Sequence, residues 1–205
     1  MQDSTRSPCS PVRLAVCAAA LMTLLAAALT VAPPAFAGPA PVAPPATATT
    51  APTPAPGTVK SRSFTTDAQA QAFFRIANLR SNKCLVTQGF ANGARAFQYT
   101  CLKYADQFWQ LEDAGDGSAR IRNQHSGRCL VVQGFANGAR AFQYSCLSFV
   151  DQHWDILVDA TGDFAMLQNR HSGKCLVVQG FANGASAFQY TCHPEFADQW
   201  WYQPI

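Results

Sequence analysis

Cysteine is the residue type whose chemistry this sequence most plainly organises. Cys84, Cys101, Cys129, Cys146, Cys175 and Cys192 fall in three pairs, each with sixteen residues between its members. Paired thiols at a fixed repeat point to disulfides in an oxidising compartment. The four histidines, His125, His153, His171 and His193, raise the questions of metal binding and nucleophilic activation. His125 and His171 stand in matching His-Ser-Gly stretches, which read as solvated turns. No Ser-His-Asp set or pair of carboxylates repeats or clusters, so catalytic residues, metal ligands and cofactors are all expected to be none.

The elements that position the cysteines are three copies of one unit. Cys84 to Cys101 recurs at Cys129 to Cys146 and at Cys175 to Cys192, offset by 45 and then 46 residues. The first two copies differ only at Thr87/Val132 and Thr100/Ser145, the second and third only at Arg140/Ser186 and Ser145/Thr191. Asn78, Asn123 and Asn169 precede the copies, and Asp-Gln-x-Trp follows each, ending at Trp109, Trp154 and Trp201. Near identity fits three equal sites and recent duplication alike. Within a copy, short apolar runs alternate with Phe-Ala-Asn-Gly turns, and no helical period is sustained. Each copy therefore reads as about four short strands, about twelve in all. A solenoid is the rival, but three such units that share one core and close on themselves leave no exposed edge strand. Repeat symmetry then pairs the cysteines locally, as 84–101, 129–146 and 175–192, each bridge contributing roughly 3 kcal/mol.

Composition divides the chain. Residues 1–37 read as an export signal, with Arg6 and Arg13, an apolar run from Leu14 to Ala32, and cleavage after Ala35-Phe36-Ala37. A membrane anchor is the rival, but the run is Ala-rich, ends at Pro33-Pro34 and lacks a basic cluster behind it, so no stable membrane insertion is expected. Residues 38–72 form a Pro/Ala/Thr linker with a transitional end, where 67–72 has the composition for one or two helical turns. Residues 73–205 hold all four Trp and form the folded domain, with repeats at about 73–119, 120–165 and 166–205. After export, thirteen Lys/Arg face eleven Asp/Glu with no basic stripe, which disfavours nucleic acid as a partner.

Three copies carrying Cys-Leu, a second cysteine and Gln-x-Trp resemble the ricin B-type β-trefoil lectins over residues 73–205. The resemblance implies an all-β trefoil, no catalysis and up to three shallow carbohydrate pockets, in a domain that often tethers a separate secreted enzyme. It makes Trp109, Trp154 and Trp201 core residues. It carries an aromatic platform onto Tyr99, Tyr144 and Tyr190, and a polar pair onto Asp106-Gln107, Asp151-Gln152 and Asp198-Gln199. A sugar's C–H face stacks on such a ring while its hydroxyls take fixed polar partners. The family's carboxylate two residues after the first cysteine is replaced by Val86, Val131 and Val177. Three outcomes stay open: the Asp of Asp-Gln supplies the acceptor, the ligand is not galactose, or the pocket is dead. Strand parity leaves the tyrosines open as well, since Ala-Phe-Gln-Tyr with outward aromatics turns a Gln inward, and a bulge is expected to shift the register. Arg95 and Arg140 read either as contacts for an acidic glycan or as solvated turn residues. A trefoil protein-binder, for instance a protease inhibitor acting through His193-Pro194-Glu195, is the alternative function.

Overall fold

The computed structural model describes residues 60–61 and 72–204. The export signal, the linker before Lys60 and the 67–71 part of the helical-turn reading lie outside them. Fourteen strands form: β1 (Lys60–Ser61), β2 (Phe74–Arg75), β3 (Ala77–Asn78), β4 (Cys84–Thr87), β5 (Ala96–Tyr99), β6 (Phe108–Asp113), β7 (Ala119–Asn123), β8 (Cys129–Val132), β9 (Ala141–Tyr144), β10 (Trp154–Val158), β11 (Phe164–Asn169), β12 (Cys175–Val178), β13 (Ala187–Tyr190) and β14 (Trp200–Tyr202). The expected twelve are present. The count rises because Ile76 splits the first strand into β2 and β3, and because β1, in the segment read as transitional, pairs with the edge of β10.

Pairing closes the sheet on itself in the order β2-β6-β7-β10-β11-β14-β3. A closed barrel has no edge for another chain to extend. The hairpins β4–β5, β8–β9 and β12–β13 cap it, and each is joined to the next around the threefold axis. Gly93, Gly138 and Gly184 donate backbone bonds of 2.8 Å to the carbonyls of Gln143, Gln189 and Gln98. These glycines end the Asn-Gly turns at φ of 84–85°, a left-handed conformation open to Gly at no steric cost. The fold is a β-trefoil.

All three repeats feed one core. Trp109, Trp154 and Trp201 are buried among Leu85, Leu130, Leu176, Ile121 and Ile156. Each indole N–H reaches the carbonyl of the Leu that follows the first cysteine of its own repeat, at 2.9, 3.1 and 3.1 Å. Disulfides join 84 to 101, 129 to 146 and 175 to 192, as repeat symmetry requires.

The expected bulge is absent. Cys84, Leu85, Val86 and Thr87 pair in unbroken register with Tyr99, Gln98, Phe97 and Ala96, and the other hairpins follow suit. The Gln therefore does face inward and the Tyr outward. Gln98, Gln143 and Gln189 are fully buried; each amide donates to carbonyls of a neighbouring repeat and accepts from a serine of its own. In the second copy, Gln143 donates to the carbonyls of Gly89 and Ala91 at 2.9 and 3.2 Å and accepts from the Ser126 hydroxyl at 2.7 Å. A buried amide with such partners costs little, which is why parity does not have to break.

Candidate functional site

The two residues that open each Asp-Gln-x-Trp stretch lie on a 3-10 turn: Ala105–Gln107, Val150–Gln152 and Ala197–Gln199. Each turn is held from both sides. Within its repeat, Gln107 accepts from the Leu102 amide at 2.6 Å and donates to the Thr100 carbonyl at 3.0 Å. Gln152 does the same with Leu147 and Ser145, and Gln199 with His193 and Thr191. From the next repeat, the buried Asn123, Asn169 and Asn78 donate to the carbonyls of Asp106, Asp151 and Asp198 at 2.9, 2.8 and 2.8 Å. The glutamines are at most 2 % exposed, so the structure places Gln107, Gln152 and Gln199 as braces beneath the site and away from its surface.

The carboxylates stand differently. Asp106 and Asp151 are half-buried. One oxygen of each is sealed from solvent, and no hydrogen bond or ion pair among the described residues reaches either carboxylate. Asp198 is only 6 % exposed, and its second oxygen meets the Arg80 guanidinium at 3.4 Å. Burial pushes the Asp198 carboxyl above its ordinary range, against the opposing pull of the Arg80 charge. Val86, Val131 and Val177, at the family's carboxylate position, are 1 % exposed and offer no polar group.

The groove beside Asp198 is lined by Arg80, Gln179, Glu195, Phe196 and Ala197. It is built across two repeats, since Arg80 belongs to the first. The same Asn that clamps the Asp carbonyl also accepts the amide of the residue two positions on: Arg80 at 3.2 Å, His125 at 3.0 Å and His171 at 3.1 Å. His125 and His171 thus occupy, beside Asp106 and Asp151, the place Arg80 holds beside Asp198. Each packs on the exposed turn Phe of the preceding repeat. His125 lies on Phe90 with centroids 4.4 Å apart, His171 on Phe135 at 4.3 Å, and the Arg80 guanidinium over Phe181 at 5.4 Å. The reading of His125 and His171 as solvated turns therefore misses their stacking.

Tyr99, Tyr144 and Tyr190 are 38–39 % exposed at the hairpin ends. Their hydroxyls have no hydrogen-bond partner among the described residues. Tyr190 is outside the groove lining, and His193 connects it to Phe196 at centroid distances of 6.4 and 5.1 Å. More exposed aromatics stand around the same turns than the sequence reading singled out. Phe90, Phe135 and Phe181 are 60–63 % exposed, Tyr104 and Phe149 66 and 64 %, and Phe196 49 %. Six half-bare rings at repeat positions depart from the scattered single apolar residues of an ordinary surface.

Two other polar groups are structural. Arg95 reaches across the threefold axis to the Gly184 carbonyl at 2.8 Å and the Ser186 hydroxyl at 3.2 Å. His153 is buried, with Nδ1 2.9 Å from Asp116. Burial pushes the Asp116 carboxyl up, but bonds from Ser118 and His153 outweigh it and hold the group well below the usual carboxylate range.

Each repeat of the trefoil thus brings together a carboxylate, a turn aromatic and a cross-repeat cation or imidazole. Residues 72–201 match the ricin-type β-trefoil lectin domain, and the chain belongs to that family. Among solved structures, the designed threefold-symmetric protein ThreeFoil is 31% identical, with a TM-score of 0.61 over 64% of this chain and 96% of its own. The exo-β-1,3-galactanase 1,3Gal43A from Clostridium thermocellum is 26% identical with a TM-score of 0.61, over 68% of this chain but only 31% of that enzyme. The ricin B-like lectin of Macrolepiota procera, solved with lactose, shares the fold at 17% identity and a TM-score of 0.58, over 67% of this chain and 98% of its own. No curated protein matches the chain by sequence.

Proposed function

We propose that this chain is a secreted carbohydrate-binding module that acts by binding and not by catalysis. Its mature form starts at Gly38, and its linker spaces the trefoil from whatever the chain's N-terminus is delivered to. The observation that carries the reading is the pair of half-buried carboxylates, Asp106 and Asp151, that no hydrogen bond or ion pair among the described residues reaches. Each has one oxygen sealed from solvent and one left open, and the open oxygen is the one that accepts a sugar hydroxyl through a charge-assisted bond. These aspartates supply the acceptor that Val86 and Val131 cannot. Tyr99, Tyr144 and Tyr190 supply stacking faces, and the exposed Tyr104, Phe149 and Phe196 add further ones. Gln107, Gln152 and Gln199 hold the loop that presents each aspartate. A shallow contact of this kind yields a Kd of roughly 0.1–10 mM per groove, and several grooves on one rigid body gain by avidity on a polymer.

The test is a binding panel of lactose, N-acetyllactosamine, β-1,3-galactobiose and xylotriose, with galactan and xylan as polymers. The chain is expected to bind at least one polymer and its oligosaccharide. Replacing one platform, Tyr99→Ala, weakens that groove by about 1–3 kcal/mol without unfolding the domain. A chain that binds nothing on this panel or on a broad glycan array is not a lectin. Unchanged binding after all three tyrosines are replaced removes them from the site.

A further inference from the structure

We propose that Arg80 disables the third groove for neutral sugars, so that the chain binds them through the first and second grooves alone. The inference rests on the carbohydrate-binding reading and says which of its grooves work. The three aspartates, each with its surroundings counted as one groove, are held by the same backbone bonds. Asn78, Asn123 and Asn169 make the same bonds to the Asp carbonyl and to the amide two residues on, so the side chains at 80, 125 and 171 enter at equivalent points. What differs is the side chain itself. At 125 and 171 it is an imidazole, stacked on Phe90 or Phe135, with no ion pair to the neighbouring aspartate among the described residues. At 80 it is a guanidinium, long enough to rest on Phe181 and still reach Asp198 at 3.4 Å.

The consequence is visible at the carboxylates. In all three, one oxygen is sealed from solvent and unpartnered. Binding therefore depends on the other oxygen. It is unengaged in Asp106 and Asp151, which stay half-buried, whereas in Asp198 it faces Arg80 and the whole residue is only 6 % exposed. A sugar hydroxyl entering the third groove has to displace a cation from a poorly hydrated carboxylate. In the other two it meets a free acceptor. An exchange of one charged partner for a neutral one is unfavourable where water cannot help.

The prediction is read groove by groove from backbone amide shifts of Tyr104–Gln107, Phe149–Gln152 and Phe196–Gln199. The full mature chain is labelled with 15N and titrated with each oligosaccharide of the panel. The first two segments are expected to move along a common saturation curve, and the third to respond about tenfold more weakly or not at all. Arg80→His is expected to bring the third segment onto the same curve as the others. The reverse change, His125→Arg, is expected to remove the response of the first segment while leaving the second. Thermal melts of both variants confirm the fold, since position 80 is exposed and neither change alters the core. Three equal curves in the unaltered chain overturn the proposal and leave the lectin reading intact. So does a third groove that stays silent in folded Arg80→His. No response in any segment of the unaltered chain, with any probe, defeats the lectin reading and this proposal with it.

Discussion

Replacing Trp109 by Ala is expected to lower the unfolding free energy by about 3–5 kcal/mol. The indole is fully buried in the cluster that holds Leu85, Ile121 and Leu130. Its loss removes a large apolar surface from the core, and three repeats meet there, so the walls cannot collapse into the space without disturbing the barrel. It also strands the Leu85 carbonyl, which the indole N–H now meets at 2.9 Å. For a domain of this size the melting temperature should fall by about 10–20 °C, as followed by circular dichroism. Trp154 and Trp201 make the same contacts in their own repeats, so their replacement should cost the same within the scatter of such changes. A Trp109→Ala domain that melts with the parent would show that the three indoles do not share a core.

Gln143→Leu is expected to cost about 2–4 kcal/mol, although it puts an apolar side chain of similar size into a buried position. The change abandons the carbonyls of Gly89 and Ala91 and the Ser126 hydroxyl, all of which the amide satisfies. Each stranded group carries its own desolvation penalty. The effect also reaches the groove, because Gly89 and Ala91 flank Phe90, on which His125 stacks at 4.4 Å. Urea unfolding should give the stability loss, and the ring resonances of Phe90 and His125 should shift together. A neutral or stabilising result would mean that water already satisfies those turn carbonyls, and that the inward glutamine is not what fixes this corner of the trefoil.

That glutamine marks where the sequence stops being legible. Three cysteine pairs and three Gln-x-Trp stretches in register are enough to specify closure, the twelve repeat strands and disulfide connectivity, because these follow from repetition within the chain, whereas the split at Ile76 and the added β1 do not. The inward turn of Gln98, Gln143 and Gln189 does not follow, since the carbonyls that take each amide's N–H groups come from a neighbouring repeat's turn. Alternation alone treats a buried Gln as an error. The site divides in the same way. Asp106, Asp151 and Asp198 are readable because they sit in the repeated motif. The cross-repeat partners Arg80, His125 and His171 are not, because what brings them to the aspartates is the side chain of an Asn in the following repeat. The regular spacing of Asn78, Asn123 and Asn169 is the signal for that clamp. The glutamines of Asp-Gln look like ligand contacts in sequence and are loop braces in space, since they bond the backbone around the second cysteine.

Asp106 and Asp151, which no hydrogen bond or ion pair among the described residues reaches, are the proposed acceptors of sugar hydroxyls. Asp106→Asn with Asp151→Asn tests that role most directly. The double variant keeps the size of both side chains and breaks no side-chain bond among the described residues, so it should fold and melt like the parent. It gives up both charge-assisted acceptors, which are worth about 1.5–3 kcal/mol each. The measurement is its affinity, by calorimetry or amide shifts, for the oligosaccharide that the unaltered chain binds best. A loss of about tenfold or more is expected at both grooves in a fully folded protein. A folded double variant that binds that sugar as tightly as the parent contradicts that role.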